Sequence, residues 1–213
     1  MDSVYDLHAP KLAEFGYYPL SIMPGAKFPG HNVPSLGEFE KTSGWQHPRR
    51  PIDTSPQPGA GIGLRCGRQP DGTNVVALDV DRDDLALAFL DIFRATVMKE
   101  GQRGLTAFFR SSQPISSHDF KINGCVAIQV LSDGRQTVLP PSIHPDIRRP
   151  YTWSSKFDLY SVKPADLPEL PADYVERIEA ILAPFGYQPE PAKPERPKQT
   201  AAPTTRRAAR SKS

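Results

Sequence analysis

The stretch Val75-Val76-Ala77-Leu78-Asp79-Val80-Asp81 constrains the fold of this chain more than any other. It is apolar and rich in β-branched residues up to its acids, the pattern of a strand covered on both faces. The rest of the chain must therefore supply a cover for each side. Side chains alternate along a strand, so Asp79 and Asp81 are expected on one face at the strand's end. Two carboxylates that close resist joint ionisation unless a cation lies between them. Mg²⁺ or Mn²⁺ suits such a pair, because these ions take oxygen ligands and bridge carboxylates to phosphates. That is the chemistry of two-metal phosphoryl transfer. An acidic strand end followed by a solvated helix start accounts for the same residues, since Asp83 and Asp84 favour a helix N-terminus.

Around this strand the apolar pattern alternates between helix and strand periods. Val4, Leu7, Leu12 and Phe15 predict a first helix over 4–15, with Pro10 in its middle. Residues 17–24 and 60–66 read as strands. Leu85, Ala88, Phe89, Ile92, Phe93 and Val97 form a helical stripe over 83–100. Leu105–Arg110, Cys125–Leu131 and Gln136–Pro141 read as three strands, the last two separated by the turn Ser132-Asp133-Gly134. A final amphipathic helix over 172–183 carries Tyr174, Val175, Ile178 and Ile181. The fold class is α+β, a mixed β-sheet flanked by helices, over residues 1–187.

Charge divides the chain in two. Residues 193–213 hold seven Lys or Arg and one acid, a net +6, while the remainder is −4. A slightly acidic body grips nucleic acid through local patches or through that tail, not through bulk charge. From 188 onward large apolar residues are absent, so 188–213 is expected to be a disordered basic tail, a linker, a DNA-binding arm or a solubilising segment. No run approaches the roughly 18 apolar residues of a membrane span, and the N-terminus lacks the pattern of a signal peptide. These readings predict a cytoplasmic protein with no membrane association. Cys66 and Cys125 lack paired-cysteine spacing, so no structural zinc is expected, and both read as ordinary reduced thiols.

Two further segments carry chemistry. In Leu139–Trp153, Ser142 and His144 form an extended Ser-x-His pair beside prolines, suited to phosphate or sugar oxygens, with Arg148 and Arg149 as cationic contacts. Tyr151 and Trp153 read as packing residues before base platforms. In Gly101–Arg110, the glycines around Arg103 let the backbone approach a nucleotide closely. This is no Walker loop, because the Gly-Lys-Ser/Thr ending is missing. Gly59–Gly67 lacks the spacing of a dinucleotide fingerprint and is rejected as one.

The ordered set resembles the bifunctional DNA primase/polymerase family, whose domains are archaeo-eukaryotic-primase-like and occur in phages, plasmids and mobile elements. The likeness covers nearly all of residues 5–153. It runs through Phe15–Pro29, Gly44-Trp45, the strand 60–67, Val75–Asp81, Arg103–Arg110, and Ser132–Trp153 with its Pro-Pro-Ser-Ile-His-Pro. The resemblance implies a catalytic core like that of an RNA-recognition motif. It implies Asp79 and Asp81 as metal ligands, a histidine on the incoming triphosphate, a role for which His144 is the candidate here, and Lys27 and Arg103 on phosphate or template. It also implies single-stranded or primed DNA and nucleoside triphosphates as ligands, with a replicative helicase as a possible partner.

The sequence departs from the family at two places. Thr106 stands where many members have a histidine, and Gln129 where many have a third carboxylate. A neutral amide ligates a metal weakly and brings no charge. Asp133, in the next turn, is a candidate replacement for the acid. Two readings therefore stand: a template-directed nucleotidyltransferase of a phage, plasmid or other mobile element, and a weakened domain that binds nucleic acid or a helicase. A metal-dependent nuclease is a third, which leaves Lys27 and the 139–153 loop without a role.

Overall fold

The structure is a computed structural model that describes residues 3–189. The expected tail, except Gln188 and Pro189, lies outside the described residues. The elements run α1 (Val4–Glu14), β1 (Pro19–Ile22), β2 (Gly30–Val33), β3 (Glu38–Lys41), β4 (Gly61–Arg65), β5 (Gly67–Arg68) and β6 (Asn74–Val80). After a 3₁₀ turn at Asp83–Leu85 follow α2 (Ala86–Ile92), β7 (Met98–Glu100), β8 (Leu105–Ser111), β9 (His118–Ile122) and β10 (Cys125–Leu131). The remaining elements are β11 (Gln136–Leu139), β12 (Thr152–Trp153) and α3 (Tyr174–Leu182).

The main sheet has the order β12-β7-β8-β6-β10-β9, with β5 also paired to β6. A smaller sheet, β1-β4-β11, and the ribbon β2-β3 complete the α+β fold. Every ladder between these strands is antiparallel, and parallel pairing is confined to isolated bridges such as Val97 with Phe157. Strand β6 lies inside the main sheet and is covered on both faces, as its composition requires. Its even-numbered residues Val76, Leu78 and Val80 pack with Phe89 of α2 and Ile178 and Ile181 of α3. Its odd-numbered residues Val75 and Ala77 pack with Phe108 and with Ile62, Leu64 and Leu139 of the smaller sheet. Phe108 and Phe109, neighbours on β8, are buried in opposite layers. Full burial of one such side chain stabilises the fold by roughly 1.5–3 kcal/mol.

Two helices differ from their sequence patterns. In α1 the buried face is Tyr5, Ala9 and Leu12, whereas Leu7 is 62% exposed. The Tyr5 ring is core, yet its hydroxyl donates to the Asp53 carbonyl oxygen at 2.6 Å, so an amphipathic residue replaces the expected aliphatic one. A reciprocal Ser3–Asp6 capping box starts the helix, and Pro10 removes one interior donor without ending it.

The stripe expected as one helix over 83–100 divides. α2 stops at Ile92, Phe93 is extended, and Met98–Glu100 forms β7. Phe93 and Val97 are both buried but in different layers, so their helical spacing is coincidental. β7 pairs on both sides, with β8 and β12, and tertiary pairing overrides the local period. Among the described residues no helix is long and apolar enough to cross a membrane.

Candidate active site

The ladders place side chains in rows across the main sheet. On the face turned to the smaller sheet, Phe108, Ala77 and Leu131 stand opposite one another in register, an apolar row. One side-chain step further along the strands, the row is Lys99, Thr106, Asp79, Gln129 and Asp119. The core therefore gives way to polar groups within a single repeat of the pleat. A cavity of about 630 Å³ opens there, lined by Asp79, Asp81, Lys99, Thr106 and Gln129 among others. That size is within the range of small-ligand sites, roughly 300–1,000 Å³.

Hydrogen bonds run along this floor. Lys99 Nζ donates to Thr106 Oγ1 at 2.9 Å, and Thr106 Oγ1 donates to Asp79 Oδ1. Gln129 Nε2 donates to Asp119 Oδ1 at 2.9 Å, and Arg135 Nη2 lies 3.6 Å from Asp119 Oδ2. Asp81 follows β6, its backbone N–H held by the Ala127 carbonyl oxygen at 3.0 Å. Burial and then the neighbouring Asp79 charge raise the Asp81 carboxyl above its ordinary value, against Arg103, Lys27 and Lys99. Burial pulls the Lys99 ammonium below its ordinary value, and Asp79 opposes that.

Cations frame the mouth. Lys27, Arg103 and Arg135 are exposed and line the cavity. Lys27 Nζ is 3.4 Å from Asp146 Oδ2, and its carbonyl oxygen accepts from Gln136 Nε2 at 2.6 Å, which fixes the 23–29 loop to β11. Arg103 reaches the rim because Gly104 turns the chain sharply before β8. With φ +60°, Gly104 lies so near β6 that a Cβ would stand 1.8 Å from the Val80 carbonyl oxygen.

His144 lines one wall, with its side chain only 3% exposed. Its Nδ1 accepts from the Asp146 N–H at 3.2 Å, which assigns the proton of the neutral ring to Nε2. Burial and then Lys27 lower its basicity, so the neutral ring is favoured. Tyr151 packs against His144 with ring centroids 5.2 Å apart, and both Tyr151 and Trp45 line the cavity.

The structure thus brings Asp79, Asp81, His144, Lys27, Arg103, Thr106 and Gln129 around one cavity. Ser142 and Arg148 lie outside its lining. Ser142 Oγ accepts from the Ile62 N–H at 2.7 Å and donates to the Ile62 carbonyl oxygen at 3.0 Å, pinning the loop to β4. Arg148 is exposed in the turn after His144, with φ 54°. Asp133 is also outside the lining, and its Oδ1 accepts from the Arg68 N–H at 3.2 Å. Lys99 and Arg135 are site residues that sequence reasoning missed. Lys99 was hidden by the helical reading of 83–100, while Arg135 had a signal in its place just after Asp133-Gly134. Cys66 is buried beneath the site, with its thiol pushed up to about 12, and Cys125 is exposed and free.

The family model for the bifunctional DNA primase/polymerase N-terminal domain matches residues 12–171. The chain belongs to this family, whose members are nucleotidyltransferases that act with DNA templates and nucleotides and generally use divalent metals. A search of curated proteins finds no match to the chain. Among the described residues, no cluster of three or more His, Cys, Asp and Glu side chains is arranged to hold a metal ion.

Proposed function

We propose that this chain is a template-directed DNA primase/polymerase serving replication of a phage, plasmid or other mobile element. One observation carries the reading: Asp79 and Asp81 sit at the foot of a cavity whose mouth is ringed by Lys27, Arg103 and Arg135. Burial and then the Asp79 charge raise the Asp81 carboxyl, and a divalent ion between the two acids would offset that. Asp79, Asp81 and the Gln129 amide oxygen are hard oxygen donors, which suits Mg²⁺ or Mn²⁺. When bound there, the ion would neutralise charge on the reacting phosphate.

The protein's own groups supply positioning and charge. Lys27 and Arg103 face the triphosphate or the template backbone as exposed cations. Lys27 would exchange its Asp146 partner for a phosphate oxygen. His144 offers Nε2–H as a neutral donor to a phosphate or sugar oxygen. Tyr151 and Trp45 wall the base side of the cavity. Holding both reactants in line supplies most of the rate, since phosphoryl transfer leaves little covalent chemistry to the protein.

The test is incorporation of labelled deoxynucleotides and ribonucleotides on single-stranded and primed templates, with Mg²⁺ and Mn²⁺. Activity is expected, and it should vanish when Asp79→Ala and Asp81→Ala are combined. Activity unchanged in that variant overturns the assignment. A second reading, a weakened domain that binds nucleic acid or a replicative helicase, draws on the neutral residues Thr106 and Gln129 on either side of Asp79. Template-dependent incorporation by the isolated chain removes it.

A further inference from the structure

We propose that the acidic pair takes a single divalent cation, and that the buried ammonium of Lys99, relayed through Thr106, supplies the site's second positive charge. The inference rests on the metal reading of Asp79 and Asp81 given above.

Lys99 is only 4% exposed, yet none of the salt bridges among the described residues includes it. Its ammonium has one hydrogen-bond acceptor, Thr106 Oγ1, and lies 5.0 Å from the centroid of the Tyr151 ring. A lysine is almost never buried this way without a paired acid, because loss of hydration is costly. Its place at the cavity floor, two residues across the ladder from Asp79, gives that cost a purpose.

The direction of the hydrogen bonds settles how Asp79 is used. An ammonium can only donate, so Thr106 Oγ1 must accept from Lys99 and send its own proton to Asp79 Oδ1. Asp79 Oδ1 thereby carries the hydrogen bond, which leaves Oδ2 the more open of the two oxygens to a metal. An oxygen that already accepts a hydrogen bond is the poorer metal ligand, so Asp79 favours holding one ion over spanning two. On the far side of Asp79, the neutral Gln129 amide gives its nitrogen to Asp119 and adds no charge.

The charge count agrees. Asp119 is matched by Arg135, so around Asp79 two carboxylates and one ammonium leave a net −1, which one divalent ion more than balances before a phosphate arrives. A second ion would enter the field of Lys99 with no acid of its own. Lys99 is thus a positioning residue: it fixes Asp79 through Thr106 and contributes charge in place of a metal.

The test is Mn²⁺ titration of the whole chain without nucleotide, read from the spin-resonance signal of the free ion. One equivalent is expected for the parent. Lys99→Met, which removes the competing charge, is expected to bind Mn²⁺ at least about tenfold more tightly (~1.4 kcal/mol) while losing incorporation. Thr106→Ser, which keeps the relaying hydroxyl, is expected to bind one equivalent of Mn²⁺ with the parent's affinity. If Lys99→Met folds poorly, Lys99→Gln carries the same expectation. Two equivalents of similar affinity in the parent overturn the proposal, as does unchanged or weaker binding in a folded Lys99 variant. No Mn²⁺ binding by parent and variants alike overturns the metal reading beneath it, a different result.

Discussion

Gly104→Ala offers a sharp test of how the site is built. Gly104 has φ +60°, a left-handed conformation that costs a residue with a Cβ roughly 1–2 kcal/mol. The new methyl would also stand 1.8 Å from the Val80 carbonyl oxygen and 2.8 Å from its carbon, both backbone atoms with no rotamer to change. Relief to ordinary contact needs a shift of well over an ångström where β6 meets β8, at the Val80–Leu105 rung. Such a shift also loosens the Gly104 N–H bond to Asp83 Oδ1, now 2.6 Å. Losing one or two backbone bonds adds roughly 0.5–1.5 kcal/mol each. The sum is about 3 kcal/mol, a fall in Tm of roughly 6–12 °C for a domain of this size. Since Val80 lies between Asp79 and Asp81, incorporation should fall far more than the unfolded fraction explains. Thermal unfolding by circular dichroism in chelator, beside incorporation well below the transition, reads both effects. Gly124→Ala is the control: its φ is +79° with nothing within 4 Å, so only the conformational cost of about 1 kcal/mol applies. A Gly104→Ala protein that melts with the parent and incorporates normally refutes the packing argument.

Other variants probe separate parts of the site. Asp81 has a raised folded pKa, so its contribution to stability is present below the unfolded value and is lost as pH rises through the folded one. Asp81→Asn should therefore raise the metal-free Tm at neutral pH and flatten its decline across that window, while abolishing incorporation. A lower Tm at neutral pH counts against it. Gln129→Glu sets a third carboxylate between Asp79 and Asp119; the metal-free Tm should drop by a few degrees, from about 1 kcal/mol of cross-strand repulsion, and Mn²⁺ should restore it. Ser142→Ala removes both bonds to Ile62 and should cost about 1–3 kcal/mol in urea unfolding, with a smaller effect on nucleotide affinity than His144→Ala. Equal losses of affinity would place Ser142 at the ligand.

Much of the fold was legible because it follows from local alternation. The β6 run demanded cover on two faces, and α2, α3 and the smaller sheet provide it. The strands at 105–111 and 125–131 showed the same density of apolar residues. What failed was wherever pairing outweighs pattern. Met98–Glu100 is too short to announce a strand, and it followed residues with a convincing helical stripe. β9 and the β2-β3 ribbon are half exposed and polar, so their ladders could not be read from hydropathy. For the site, the acids and the loop carrying His144 were visible as motifs. Thr106 and Gln129 were visible only as departures from a family pattern, and the register gives both a place beside Asp79. Lys99 was beyond reach, because its meaning depends on a neighbouring strand seven residues away.

The abrupt change from an apolar row to a polar row has a consequence for how such a domain can vary. Inserting one residue into β6 before Asp79 would turn the carboxylate to the opposite layer, among Phe89 and Ile178. Deleting two would leave it on the proper face but among Phe108 and Leu131. The strand is therefore a ruler whose markings cannot be respaced. Exchange of one side chain for another along the row remains open, and changes in length fall to the turns at Asn123-Gly124 and Asp133-Gly134. Lineages of this domain should differ in the chemistry of the floor far sooner than in the count of residues that leads to it.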